Sequence, residues 1–299
     1  IIWVKPASIA KGTTFTMYYK GKADLVPNPK DVWTGYAGVW HLGTLGADTT
    51  AYSQGLYPNS TAAEGIDAHL SADSIPGEVG RFGKAFRPND STALKQGNYQ
   101  KGGAWGVDAG DDSPLDVGDV LTISGWIKHQ DWPNAGDEHI FYKRRDSDNV
   151  NEPTGAFVVE AQGAPDFKIA GKGSGSNRVR DDGPTAPHPK DNWIYVTLVF
   201  DGQTHTLYKN GGEFSKTGTY LSRVVDNNAP LVFGNTVTIA DGEAGSNAWN
   251  GWIDEVRYLK GAKSAAWVAA EYAAMTDDAF LTAGEVEKIN PPGLMILVR

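Results

Sequence analysis

A single carboxylate lies within an otherwise apolar stretch near the end of the chain. Residues 249–258 read WNGWIDEVRY, and the Trp, Ile, Val and Tyr side chains are typical of a half-buried β-strand. Because alternate residues of a strand share a face, Asp254 is predicted to lie on the same face as Trp252 and Val256. A carboxylate in such surroundings needs a partner, which can be an arginine, backbone N–H groups or a metal ion.

A second set of candidate residues flanks two neighbouring strand ends. Aromatic rings at the rim of a sheet can stack on sugar rings, and an arginine can bond the hydroxyl or carboxylate groups of a glycan. The alternative is that these side chains cover loops or the edge of the core. The candidate ligand-binding residues are Trp132, His129, Tyr142 and Arg144.

The common catalytic motifs are missing from the sequence. The chain has no cysteine, which excludes thiol catalysis. It also lacks HExxH, GxSxG, a P-loop and GxGxxG. We therefore predict that the protein is not an enzyme.

Composition narrows the fold class and the partners. The 299 residues include 36 Gly, 16 Pro and 10 Trp, a combination of many turns and large aromatics that favours an all-β protein. The net charge is −9 and no Lys/Arg cluster occurs, so nucleic acid is not an expected partner. No apolar run of about 18 residues is present, so we expect no membrane insertion. The chain begins at Ile1 without a leader pattern and is expected to be a mature chain or an excised fragment.

The elements that must position these residues are short strands joined by turns. Residues 121–128 alternate between apolar and polar side chains, as a half-buried strand does. Asp201-Gly202 and Asn210-Gly211 predict two successive type I′ hairpins, which together make a three-stranded meander. One helix is predicted over Ala265–Met275, with Ser264 as its N-cap.

Five of these stretches, in order, resemble the laminin-G-like, concanavalin A-like jelly-roll family of bacterial surface proteins. The resemblance implies an all-β fold, an antiparallel jelly-roll β-sandwich with one short C-terminal helix, in an extracellular or cell-surface protein. The stretches are residues 80–86 (GRFGKAF), 121–128 (LTISGWIK), the hairpins of 192–211, the strand 249–258, and the helix near Trp267 to Tyr272.

The two ends of the chain are predicted to lie outside the jelly roll. Residues 1–22 resemble the C-terminal edge of a small β-domain of unknown function that often precedes such jelly rolls. We therefore divide the chain into the terminal strands of a preceding β-domain (1–30), the jelly roll (31–285), and a linker with an apolar terminal strand (286–299).

The same resemblance bears on the metal alternative for the isolated carboxylate. In related sandwiches the acid of the last strand often binds a structural calcium ion. It implies that Asp254 is a calcium ligand and that Asp48 lies in a nearby loop. Calcium takes six to eight oxygen ligands, which one or two carboxylates and loop carbonyls can supply. An arginine or backbone N–H partner for Asp254 remains the alternative.

Three functions are compatible with the sequence. The first is a non-catalytic extracellular adhesion or carbohydrate-binding module, whose partner is a glycan or a surface protein. The second is a self-assembling subunit of a filament or surface layer, in which copies exchange the apolar terminal strands Ile1–Val4 or Leu294–Val298. The third is a glycan-active enzyme. Its site would be an unfamiliar one, because the E-x-D-x-x-E run of related hydrolases is missing.

Overall fold

The structure is a computed structural model of the chain. The described residues are 15–19, 29–47, 53–61, 67–71, 75–88, 104–105, 115, 120–130, 137–142, 158–162, 164–170, 179–180, 191–216, 231–234, 249–280, 283–289 and 293–298.

Short strands make up most of the described chain. The helices are α1 (Pro29–Val32) and α2 (Ala265–Thr276). The strands are β1 (Phe15–Tyr19), β2 (Tyr36–Trp40), β3 (Ser53–Tyr57), β4 (Ala68–Ser71), β5 (Ile75–Val79), β6 (Lys84–Arg87), β7 (Ala104–Trp105), β8 (Leu121–His129), β9 (Asp137–Tyr142), β10 (Val158–Gln162), β11 (Ala164–Ala170), β12 (Val179–Arg180), β13 (Trp193–Phe200), β14 (His205–Lys209), β15 (Gly212–Lys216), β16 (Val232–Phe233), β17 (Gly251–Lys260), β18 (Ala283–Ile289) and β19 (Gly293–Val298).

Two large antiparallel sheets form the body of the protein. Sheet I has the order β12-β11-β10-β9-β16-β7-β4-β3, and sheet II has the order β15-β14-β13-β8-β17-β6-β5, with β2 also paired to β17. The buried apolar cluster draws side chains from both sheets, among them Leu70, Phe141 and Phe233 of sheet I and Ile123, Val196 and Val256 of sheet II. The core therefore lies between the sheets, and the all-β prediction is confirmed.

The predicted meander is present, although one of its turns differs from the prediction. Asn210 and Gly211 both have positive φ, 50° and 78°, as a two-residue type I′ turn requires. The β13–β14 connection is longer than the predicted two residues, because Phe200 pairs with His205. The Asp201 carboxylate accepts the backbone N–H groups of Gln203 and Thr204 at 2.9 and 2.6 Å, which stabilises this four-residue loop.

A β-bulge in β17 changes which side chains face the core. The pairing with β8 gains one residue on β17 between Asp254 and Arg257, where Glu255 adopts φ 53°. Ile253 and Val256 both lie in the core, so Asp254 faces away from it. The prediction that Asp254 and Val256 share a face is wrong, because the inserted residue reverses the alternation.

Helix α2 covers part of the outer face of sheet II, meaning the face opposite the core. The Ser264 hydroxyl accepts the N–H of Trp267 at 3.2 Å and caps the helix as predicted. Val268 is fully buried and packs against Val199 and Tyr208. The helix thus attaches to β13 and β14 through a small apolar cluster of its own.

A third sheet joins the two ends of the chain. Its order is β1-β19-β18, so β19 pairs on both edges within the same chain. Strands from the predicted segments 1–30 and 286–299 therefore pair with each other, with Phe15 opposite Val298. The predicted domain boundaries stay a prediction, and Ile1–Val4 lies outside the described residues.

Candidate functional site

The carboxylate of Asp254 lies buried beside the turn that joins β5 and β6. Its Oδ2 accepts the backbone N–H of Phe82 at 2.9 Å. The turn is closed by the N–H of Gly80, which donates to the carbonyl of Gly83 at 3.0 Å. Within the described residues, Oδ1 of Asp254 is buried and has no hydrogen-bond partner. One oxygen thus holds the turn and the other is unused.

Burial makes the charge on this carboxylate costly. Desolvation raises the pKa of Asp254 to about 7. The hydrogen bond from Phe82 opposes this rise, the Glu255 carboxylate adds to it, and the nearby backbone N–H groups of Arg81 and Glu255 also oppose it. Near neutral pH the group is therefore poised between a protonated form and an anion. An anion here would gain from a cation placed at Oδ1.

Gly80 gives this carboxylate the space that it occupies. A Cβ at Gly80 would lie 2.7 Å from Oδ2 of Asp254 and 2.7 Å from the backbone carbon of Lys84. Both distances are far below ordinary contact, and the backbone cannot move aside cheaply.

We expect Gly80→Ala to lower the free energy of unfolding by about 1–3 kcal/mol, because the added methyl group must displace the turn or the carboxylate. Urea unfolding monitored by tryptophan fluorescence measures the change. Gly43→Ala is the control, since its Cβ would lie 3.8 Å from the Lys84 carbonyl oxygen, an ordinary contact. Equal effects of the two substitutions would contradict this account of Gly80.

The fit of Asp254 to calcium can be judged from its unused oxygen. A buried carboxylate oxygen without a partner suits a hard cation, which prefers oxygen ligands. The described part of the chain contains no group of three or more metal-binding side chains, so one described carboxylate cannot complete the ligand set. The other predicted ligand, Asp48, lies outside the described residues. Asp254 thus fits as one ligand of a larger set.

A buried polar network lies next to this site on the outer face of sheet II. Nδ1 of His41 lies 2.9 and 3.0 Å from the two carboxylate oxygens of Glu255. Arg257 approaches the same carboxylate at 3.4 Å and donates to Glu271 of α2 at 2.8 Å. Glu271 also accepts the hydroxyl proton of Tyr195 at 2.8 Å. The network therefore ties α2 to β13 and β17, and through Glu255 to His41, the residue that follows β2.

Electrostatics keep the centre of this network charged. Burial works against the charge of Arg257, but the ionisable groups around it, among them the carboxylates of Glu271 and Glu255, hold its pKa above the ordinary value. Burial, reinforced by Glu271, raises the pKa of the Tyr195 hydroxyl well above its usual range. Tyr195 therefore stays neutral and acts as a hydrogen-bond donor. Sequence reasoning missed this network, since His41 is 214 positions from Glu255 and Tyr195 is 76 positions from Glu271.

The predicted ligand-binding residues do not form one described site. His129 is buried at 4% exposure and its ring packs against Trp249 at 4.8 Å, so a surface sugar cannot stack on it. Tyr142 lies on β9 in sheet I, whereas His129 lies on β8 in sheet II. Trp132 and Arg144 lie outside the described residues.

A row of three side chains on the outer face of sheet II was also missed. Trp193 and Trp252 both pair directly with Lys128, from β13 on one side and β17 on the other. The Lys128 ammonium lies 3.9 Å from the ring centre of Trp252 and 5.4 Å from that of Trp193. All three side chains are partly exposed. We call this set the tryptophan–lysine row.

The profile of the concanavalin A-like lectin/glucanases superfamily matches residues 101–269, more than half of the chain. The chain belongs to this superfamily. The jelly-roll assignment and the resemblance found in the sequence are thereby confirmed. No curated protein matches the chain significantly.

Solved structures similar to this superfamily member come from toxins and glycan-active proteins. Domain 4 of AbnA, an extracellular arabinanase from Geobacillus stearothermophilus solved in complex with arabinotriose, is 16% identical with a TM-score of 0.51, over 80% of this chain and 98% of that domain. The binding domain of botulinum neurotoxin serotype G is 12% identical with a TM-score of 0.54, over 81% of this chain and 51% of that one. A sialidase from Trypanosoma rangeli is 9% identical with a TM-score of 0.52, over 81% of this chain and only 33% of that enzyme.

At these identities the similarity shows the fold of the superfamily and not a shared ligand. Neither described helix is long and apolar enough to cross a membrane.

Proposed function

We propose that this chain is a non-catalytic, extracellular carbohydrate-binding module. The observation that carries the proposal is the tryptophan–lysine row, which places two indole rings on a partly exposed sheet face. Aromatic rings on a rigid sheet are a common platform for the apolar faces of sugars. Membership of a lectin/glucanase superfamily and the similarity to an arabinotriose-bound domain support this proposal.

The row is rigid because neighbouring strands fix its side chains. Trp193 begins β13 and Trp252 lies near the start of β17, on either side of the long strand β8. The indole N–H of Trp252 points to a carboxylate oxygen of Glu78 at 3.4 Å, and the Arg87 guanidinium lies 5.4 Å from the same ring. Rings held in this way lose little conformational entropy when a ligand binds.

The test is a glycan array probed with the whole chain. We expect the wild type to bind a subset of glycans and Trp252→Ala to lose most of that binding, since each aromatic contact contributes about 0.5–1.5 kcal/mol beyond its buried area. Trp267→Ala on α2 is the control, because Trp267 also lies beside a lysine, Lys263, at 4.9 Å.

Two array results would count against the proposal. A folded wild type that binds no glycan would contradict a carbohydrate-binding function. Binding that survives Trp252→Ala and Trp193→Ala but is lost in Trp132→Ala would move the site to the rim residues predicted from the sequence.

Calcium enters the proposal as a structural ion. Asp254 would be one ligand and Asp48 a second, and the bound ion would neutralise a buried carboxylate and fix the turn between β5 and β6 to β17. The unused Oδ1 of Asp254 supports this assignment.

The strand-exchange alternative has less support than the binding module. Because β19 pairs with β1 and β18 of its own chain, an exchange of Leu294–Val298 between copies would have to break both pairings. We therefore propose a glycan or a surface protein as the partner before another copy of the chain.

A further inference from the structure

We infer that the tryptophan–lysine row selects acidic glycans, meaning chains whose sugars carry carboxylate groups. This inference rests on the proposed carbohydrate-binding function and narrows it to one class of ligand. The juxtaposition that carries it is a lysine held between two tryptophans on three adjacent strands.

The Lys128 ammonium lies against two indole rings and forms no ion pair with the described residues. Its two ring contacts, at 3.9 Å to Trp252 and 5.4 Å to Trp193, hold the charge over aromatic surface. Within the part of the chain that the structure describes, no carboxylate pairs with Lys128. A partly exposed ammonium in this state can accept a carboxylate from a ligand, and a charge-assisted hydrogen bond would form.

The charge around the row is opposite to that of the protein as a whole. The net charge of the chain is −9, yet two guanidinium groups lie close by. Arg87 lies over Trp252, and Arg81 lies 4.9 Å from the ring of Trp126, the outward-facing residue two positions before Lys128. Among the described residues, Arg81 also has no carboxylate partner. The Glu78 carboxylate at the indole N–H of Trp252 offsets part of this charge, but Lys128, Arg87 and Arg81 still outnumber it. A local excess of cations on an acidic protein favours an anionic ligand over a neutral one.

The spacing of the row suits an extended chain of sugars. Trp193 and Trp252 lie two strands apart, which is about 10 Å across the sheet. Two sugar rings of one oligosaccharide can span that distance, with a carboxylate between them at Lys128. A glycan lying across the strands would therefore contact all three members of the row.

The covered part of the outer face sets one boundary of the site. The preceding row consists of Tyr195, Trp126 and Asp254, which pair across the same three strands and are buried. Tyr272 of α2 packs on both aromatic rings of that row. The tryptophan–lysine row is the next row along the strands, where the side chains become partly exposed.

The experiment is calorimetric titration of the whole chain with oligogalacturonate and with the same oligosaccharide fully methyl-esterified. The two probes share their sugar rings and differ in the methyl ester, which removes the charge of each carboxyl group. We expect the acidic probe to bind and the esterified probe to bind at least about tenfold more weakly, since a charge-assisted hydrogen bond is lost. Added salt should weaken only the acidic interaction.

A matched pair of lysine substitutions separates the site from the overall charge. Lys128→Met should weaken binding of the acidic probe by about tenfold or more and leave the esterified probe unaffected. Lys263→Met removes the same charge from the lysine beside Trp267 and should change neither affinity. Each variant is first checked for an unchanged melting midpoint, and Lys128→Arg, which keeps the charge, should retain binding.

The outcomes distinguish this inference from the proposed function. Equal affinity for both probes, or equal effects of Lys128→Met and Lys263→Met, would overturn the selection of acidic glycans and leave carbohydrate binding intact. A wild type that binds neither probe while binding a neutral glycan on the array would also overturn it. If no glycan of any kind binds, the proposed function itself fails.

Discussion

Replacing Arg257 with methionine should lower the free energy of unfolding by about 3–5 kcal/mol, because it leaves two buried carboxylates without their cation. Arg257 is 2% exposed and lies between Glu255 and Glu271 at 3.4 and 2.8 Å. Methionine keeps much of the side-chain volume. The decrease in the free energy of unfolding therefore measures the lost charge and hydrogen bonds more than a change in packing. Urea unfolding at neutral pH measures it.

Two further variants test whether the ion network is the cause. Arg81→Met removes a partly exposed guanidinium from the same sheet face and should cost less than about 1 kcal/mol. Adding Glu271→Gln to Arg257→Met should recover part of the loss, since one unpaired buried charge is then removed. A loss below about 1 kcal/mol for Arg257→Met would show that the network does not hold α2 on the sheet.

The fold could be predicted because its signals are local. Alternating residues in β8, the Asn210-Gly211 turn and the Ser264 cap each depend on a few neighbouring residues. The four-residue loop after Phe200 was predicted too short, since Asp201-Gly202 suits a two-residue turn equally well. Only the side-chain bonds of Asp201 to the loop backbone distinguish the two.

The bulge in β17 could not be predicted from the sequence. Positive φ in a strand is expected at glycine, and Glu255 gives no such signal. The extra residue lies where the neighbour of β17 changes from β6 to β2, with Ile253 opposite Phe86 and Val256 opposite Trp40. That change depends on how distant strands pair.

The two candidate sites also depend on long-range pairing. The partner of Asp254 is the N–H of Phe82, 172 positions away in the sequence. The tryptophan–lysine row exists because the registers of three strands bring Trp193, Lys128 and Trp252 level. The sequence could identify Asp254 as an unusual acid and offer backbone N–H groups or a metal as its partner. It could not show that one oxygen has a backbone partner while the other has none.

Without calcium, Asp254→Asn should make the protein more stable at pH 8, give a smaller gain at pH 5 and give little or no gain at pH 3. The pKa of Asp254 is about 7 in the folded protein, above the value of about 3.9 for an unfolded chain. Between these values the folded state holds a proton that the unfolded state has released. The stability that this group contributes is therefore largest at low pH and is lost as the pH rises toward 7. Asparagine has no such charge to bury, so the gain at pH 8 is at most ~4 kcal/mol.

Calcium should make the wild type more stable than Asp254→Asn at pH 8, because an ion at Oδ1 makes the anion of Asp254 favourable. We expect calcium to raise the melting midpoint of the wild type over chelator-treated protein and to leave the Asp254→Asn variant unchanged. Asp201→Asn is the control, since that exposed carboxylate also accepts backbone N–H groups but should leave the calcium response of the wild type intact. If calcium does not change the melting midpoint of the wild type, the metal site is excluded. The predicted pH dependence of the Asp254→Asn variant would not be affected by that result. A variant less stable than the wild type at all three pH values in chelator would instead mean that Asp254 is held as an anion by the turn alone.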